Sequence, residues 1–115
     1  MTLRLAVLAS GRGTNLQAIL DAIAAGTLDA EVIGAWSDRK DAQALVRARD
    51  AGLQAHAIRP RDFADRAAHD AALFDALDAA EPDLIVCAGY MRLIGAGVMT
   101  ARAGRMINIH PSLLP

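Results

Sequence analysis

The chain has 115 residues, a single domain's length, enough to bury roughly 65% of its unfolded surface around an ordinary core. Its formal net charge of −1 gives no field that would gather nucleic acid or anionic lipid through counterion release, so nucleic acid is not expected as a partner. Cys87 is the one cysteine and lies in an aliphatic run, which excludes a disulfide framework and a thiolate zinc cluster and suits a reducing, cytoplasmic location.

Leu3 to Ala9 is almost wholly apolar and reads as a parallel strand buried on both faces. It is too short, and leads too directly into a glycine turn, to act as a secretory signal. Ser10 to Thr14 carries two glycines, and from Asn15 onward Leu16, Ile19, Leu20 and Ile23 fall at helical spacing, with Gly26 as the stop. Val32 to Trp36 reads as a second strand, Ala42 to Ala51 as a helix closed by Gly52, and Ala55 to Ile58 as a short strand ended by Pro60. Arg66 to Ala80 forms a helix whose inner face holds Leu73, Phe74 and Leu77. Pro82 then precedes the strand Leu84 to Ala88. Gly95 to Ala103 supplies a short helix before a last strand, Met106 to His110. No apolar run approaches the length that spans a bilayer, so no membrane partner is expected.

This alternation predicts a doubly wound parallel α/β sheet, because each apolar strand needs cover on both faces and right-handed crossovers supply it. No repeat or linker divides it, so residues 1–115 are expected to form one domain. Ligands of such sheets collect beyond the carboxyl ends of the strands, near the point where strand order reverses. With the order 3-2-1-4-5, the segments Ser10 to Asn15, Gly89 to Ile94 and Asn108 to Ser112 become neighbours there.

Ser10-Gly-Arg-Gly-Thr-Asn15 sets flexible backbone just before a helix, so free N–H groups and the positive end of the helix dipole converge on one spot suited to an anion. Leu16 stands where a dinucleotide fingerprint needs its third glycine, and Gly-Lys-Ser/Thr of a nucleotide P-loop is missing. The competing reading is a tight connection in which the glycines permit positive φ and Thr14 or Asn15 caps the helix.

Asn108 and His110 lie two apart in an extended segment and so face the same way, an amide donor beside a titratable base. The amide can hold a developing oxyanion and the imidazole can move a proton, a pairing suited to acyl transfer through a tetrahedral intermediate. Pro111 puts the pair at a rim, where the alternative is that both residues merely tie the strand end to a proline loop. His56 and His69 read as ordinary strand and helix residues. Asp62, Asp65 and His69 read as an exposed charged face and not as metal ligands. Ser112 has no partner base at recognisable spacing, which disfavours a covalent intermediate.

Ser10-Gly-Arg-Gly-Thr-Asn-Leu-Gln17, Ala88-Gly-Tyr-Met-Arg-Leu-Ile94 and Asn108-Ile-His-Pro-Ser-Leu-Leu-Pro115 together resemble the amino-terminal part of the folate-dependent phosphoribosylglycinamide formyltransferases. The last motif is shared with methionyl-tRNA formyltransferase and formyltetrahydrofolate deformylase; the first is the more discriminating. The resemblance implies that Gly13, Thr14 and Asn15 contact the substrate phosphate. It implies that Met91, Arg92, Leu93 and Ile94 line the folate pocket, and that Arg66 lies on the folate side, unless it is simply solvated near a helix start. Asn108 and His110 would be catalytic, Asn108 also touching the folate, with 10-formyltetrahydrofolate as co-substrate and no metal. Because family members are appreciably longer, the resemblance also implies that an aspartate partner of His110, part of the phosphate grip and further strands lie beyond Pro115. The 115 residues alone would then be catalytically incomplete. A deformylase and a non-catalytic mononucleotide-binding domain are the alternatives, and oligomeric state is not legible.

Overall fold

In the structure, a computed structural model, residues 2–90, 92 and 94–109 are described. They form one five-stranded parallel sheet in the order β3-β2-β1-β4-β5, the order that makes the three candidate segments neighbours. The elements run β1 Leu3–Leu8, α1 Thr14–Ala24, β2 Ala30–Ser37, α2 Gln43–Asp50, β3 Ala55–Ala57, α3 Arg66–Ala79, β4 Leu84–Ala88, α4 Ala96–Ala101 and β5 Met106–Ile109. A 3-10 turn at Pro60–Asp62, not foreseen, joins β3 to α3. Proline at its first position supplies the fixed φ, and Asp62 accepts from Arg59 Nε at 3.2 Å.

Side chains alternate across β1, and this alternation divides the core. Leu5, Val7 and Ala9 pack with Leu16 of α1 and Ala44, Leu45 and Ala48 of α2, while Ala6 and Leu8 pack with Leu73, Phe74 and Leu77 of α3 and Trp36 of β2. Each of those α3 side chains is fully buried, and a leucine or phenylalanine so placed contributes about 1.5–3 kcal/mol. Two helices therefore cover one face, and α3 with Val98 of α4 covers the other, which is the doubly wound arrangement. The small residues of α2 let it lie close against the β1–α1 connection.

The charged face expected of Asp62, Asp65 and His69 is corrected by the fold. Asp65 caps α3 by accepting from the Ala68 N–H at 2.8 Å, and His69 is wholly buried. Its Nε2 donates to the Ile58 carbonyl at 2.7 Å, while its buried Nδ1 has no hydrogen-bond partner among the described residues. Reading the stretch as solvated overlooked that helical spacing carries residue 69 to the same side as Leu73.

Candidate active site

The loop after β1 is shaped by its neighbours more than by its own side chains. Gly13 is the N-cap of α1 in the left-handed region, φ 76°, and no side chain caps the helix. Neither Thr14 nor Asn15 is the cap, so among the described residues no side chain accepts from the N–H groups of the first turn. A Cβ on Gly13 would sit 2.6 Å from the Ala44 Cα, so only glycine lets the loop lie this close to α2. The Gly11 carbonyl accepts from the Ala44 N–H at 3.0 Å, and the Arg12 carbonyl from Arg47 Nε at 2.7 Å. The Ser10 N–H donates to the Gly89 carbonyl at 3.2 Å, which joins the ends of β1 and β4.

A cavity of about 390 Å³ opens there, lined by Ser10 to Asn15, by Asp38 and Arg39 beyond β2, and by Ala88 and Gly89 at the end of β4. It lies at the carboxyl ends of β1 and β4, the crevice where strand order reverses. Gly13, Thr14 and Asn15 are thus brought to one concavity beside the segment that begins at Gly89. A larger cavity of about 650 Å³, between β2, β3 and α3, contains none of the candidate residues.

Asn108 pairs in register with Cys87, one residue before the end of β4, and is exposed on β5. The strand that carries it therefore ends on the same side of the sheet as the loop after β1, because all five strands are parallel. His110, Met91 and Leu93 lie outside the described residues. Of the expected folate-side residues, Arg92 is exposed and Ile94 is half-buried against the α3 core. Arg66 is exposed at the first residue of α3; it stands one turn before Asp70 and so shares that residue's side of the helix.

Asp70 was not singled out in the sequence, yet it reaches this region. Its side chain is almost fully buried, and Oδ2 accepts from the Gly95 N–H at 3.0 Å, which pins the carboxyl end of the segment that follows β4. Beside it, burial pushes the Tyr90 phenol well above its ordinary value, the carboxylates of Asp38 and Asp70 push the same way, and Arg92 opposes them. Tyr90 is therefore neutral at physiological pH. Its hydroxyl is buried and without a hydrogen-bond partner among the described residues. Asp38, a further lining residue, had a usable signal: it follows β2 directly, and the rule that ligands gather at strand ends applies to β2 as well as to β1. Asp70 had none, being a mid-helix acid whose partner is a backbone group 25 residues away.

The formyl transferase family model matches residues 3–115. The chain belongs to the formyl transferase family. It is 42% identical over 113 residues to phosphoribosylglycinamide formyltransferase of Escherichia coli K12, a match covering 98% of this chain and 53% of that protein. Its fold superposes on the structure of phosphoribosylglycinamide formyltransferase from Coxiella burnetii with a TM-score of 0.93 at 45% identity, over 100% of this chain and 54% of the other. The chain thus spans about half the length of these relatives. A formyltetrahydrofolate deformylase from Burkholderia mallei shares the fold, TM-score 0.84, at 22% identity over 96% of this chain and 38% of that one. Among the described residues no group of His, Cys, Asp or Glu could hold a metal ion, and no helix is long and apolar enough to cross a membrane.

Proposed function

We propose that the protein transfers the formyl group of 10-formyltetrahydrofolate to the amine of phosphoribosylglycinamide, in purine biosynthesis in the cytoplasm. Residues 1–115 would be the mononucleotide-binding portion of its α/β formyltransferase domain. The observation that carries this reading is the glycine loop after β1, whose helix-start N–H groups, uncapped by any side chain among the described residues, border a concavity beside the end of β4. A phosphate monoester fits such a site because several N–H bonds and the helix dipole act on it together. The relatives named phosphoribosylglycinamide formyltransferase support the same substrate.

In this reading Gly13, Thr14 and Asn15 grip the phosphate and fix the distance to the amine. Arg66, Met91, Arg92, Leu93 and Ile94 hold the folate, the apolar side chains covering its ring. The amine nitrogen attacks the formyl carbon, and Asn108 donates to the carbonyl oxygen as it gains charge. His110 takes the proton from the incoming amine and returns one to the folate nitrogen as the old C–N bond breaks, so the formyl group changes nitrogen with no net loss of protons. No covalent enzyme intermediate and no metal is needed.

The test is formyl transfer by the full-length protein, measured with both substrates present. Formylated phosphoribosylglycinamide is the expected product. Release of formate at the same rate with and without the amine substrate would overturn the proposal in favour of a deformylase.

A further inference from the structure

Arg47 of α2 has no part in the chemistry proposed above, yet it touches the backbone of the anion loop directly. A trans peptide unit is planar, so its C=O and the N–H of the next residue point in opposite directions. The Gly11 carbonyl is turned to the Ala44 N–H at 3.0 Å and the Arg12 carbonyl to Arg47 Nε at 2.7 Å. The N–H groups of Arg12 and Gly13 therefore face away from α2. The cavity of about 390 Å³ is bounded by the loop, by Asp38 and Arg39 beyond β2 and by the end of β4, and by no residue of α2.

The lock matters because the peptide between residues 12 and 13 ends in a glycine with φ 76°, for which the opposite orientation costs little. A flipped peptide would turn a carbonyl oxygen toward the anion in place of an N–H. Backbone approach to Ala44 restrains the position of Gly13, and among the described residues the Arg47 side chain is the hydrogen-bond donor that fixes the orientation of the Arg12 carbonyl. Arg47 is itself half-buried, and its Nη1 donates to Gln17 Oε1 of α1 at 3.3 Å, which ties the two helices across the loop. Its positive charge behind the carbonyl also polarises the peptide and strengthens the N–H on the far side.

We infer that Arg47 is a positioning residue for phosphate binding, acting through the Arg12–Gly13 peptide and not by contact with the anion. This rests on the reading of the loop as the phosphate site. The experiment uses isotope-labelled full-length protein titrated with inorganic phosphate, following the amides of residues 12 to 15, alongside steady-state kinetics for both substrates. Arg47→Ala should weaken phosphate binding and raise KM for phosphoribosylglycinamide roughly tenfold, the size of one charged hydrogen bond. KM for 10-formyltetrahydrofolate should stay within about twofold, since a remote binding contact is being lost. Arg47→Lys, which keeps a charged donor, should recover part of the loss, and Gln17→Ala should produce a smaller loss of the same kind.

Phosphate binding by Arg47→Ala as tight as in the unaltered protein would overturn the inference while leaving the phosphate reading intact. Amides 12 to 15 that ignore phosphate in the unaltered protein would overturn the reading itself. If Arg47→Ala does not fold, Arg47→Lys and Gln17→Ala carry the test, and unchanged phosphate affinity in both overturns the inference.

Discussion

The segments after β1 and after β4 border the same crevice and are held by different means. The first is backbone locked to α2 at Gly11, Arg12 and Gly13, with buried Leu16 anchoring the helix that follows. The second is tied at its ends, by the Gly89 carbonyl to the Ser10 N–H and by the Gly95 N–H to Asp70, with exposed Arg92 between. Beyond it β5 is the outer strand of the described sheet, its Ile107 47% exposed and its Asn108 facing solvent. A site that must recognise an unchanging phosphate gains from preorganised donors. On the proposed function, the side that would accept the folate and host the reaction carries its chemistry on side chains at a rim.

The largest effects should come from that rim. Replacing His110 with Ala should lower formyl transfer about 10²- to 10⁴-fold at saturating substrates, the usual span for a lost general acid–base group. Asn108→Ala should lower it about 10²- to 10³-fold through the oxyanion contact. Both variants should keep KM for phosphoribosylglycinamide near its normal value. A His110→Ala protein with unchanged turnover would mean that the imidazole only ties the strand to its proline loop.

Gly13→Ala breaks the other side. The new Cβ meets the Ala44 backbone and a left-handed φ at once, so a loss of about 1–3 kcal/mol of stability is expected in urea unfolding. Phosphate binding should weaken more than folate binding. Asp70→Ala reverses the pattern: it leaves the Gly95 N–H without its acceptor, a cost of about 1–3 kcal/mol. Its kinetic signature should be a raised KM for the folate, with the phosphate side unaffected. If the two variants shift both KM values alike, the two segments are one coupled unit and the contrast drawn between them fails.

The alternation of elements and the crevice were legible because apolar runs are separated by glycine, proline or charged breaks from Leu3 to Ala88, and a parallel sheet with crossovers leaves few other arrangements. The loop after β1 was legible as a glycine turn before a helix. Of the competing reading, the positive φ is present at Gly13, but the cap falls on Gly13 and not on Thr14 or Asn15, which are good caps by type. The residues that hold the loops were not legible. Arg47 and Asp70 look like ordinary helix charges, and what distinguishes them is a backbone partner 35 and 25 residues away. Burial of His69 was missed for a related reason, because its acceptor, the Ile58 carbonyl, is supplied by the chain leaving β3.

Cys87 gives the mildest test of the difference between the two sides. It sits on β4 between Leu8 of β1 and Asn108 of β5, so its accessibility reports on the β4–β5 half of the sheet. Burial raises its thiol from 9.0 to about 11. Only the thiolate reacts with alkylating reagents, so the folded protein at pH 8 should resist iodoacetamide, while the urea-unfolded chain reacts at the rate of a free cysteine. The raised value also has a sign: the folded state binds this proton more tightly than the unfolded state does. The stability it carries is therefore complete below pH 9 and is lost as pH rises from 9 toward 11. Alkylation that is slow at pH 8 and tracks global unfolding would mean that β5 stays paired as firmly as the strands at the centre. Alkylation well below the urea midpoint would mean that the β5 side opens first, while the loop locked to α2 remains intact.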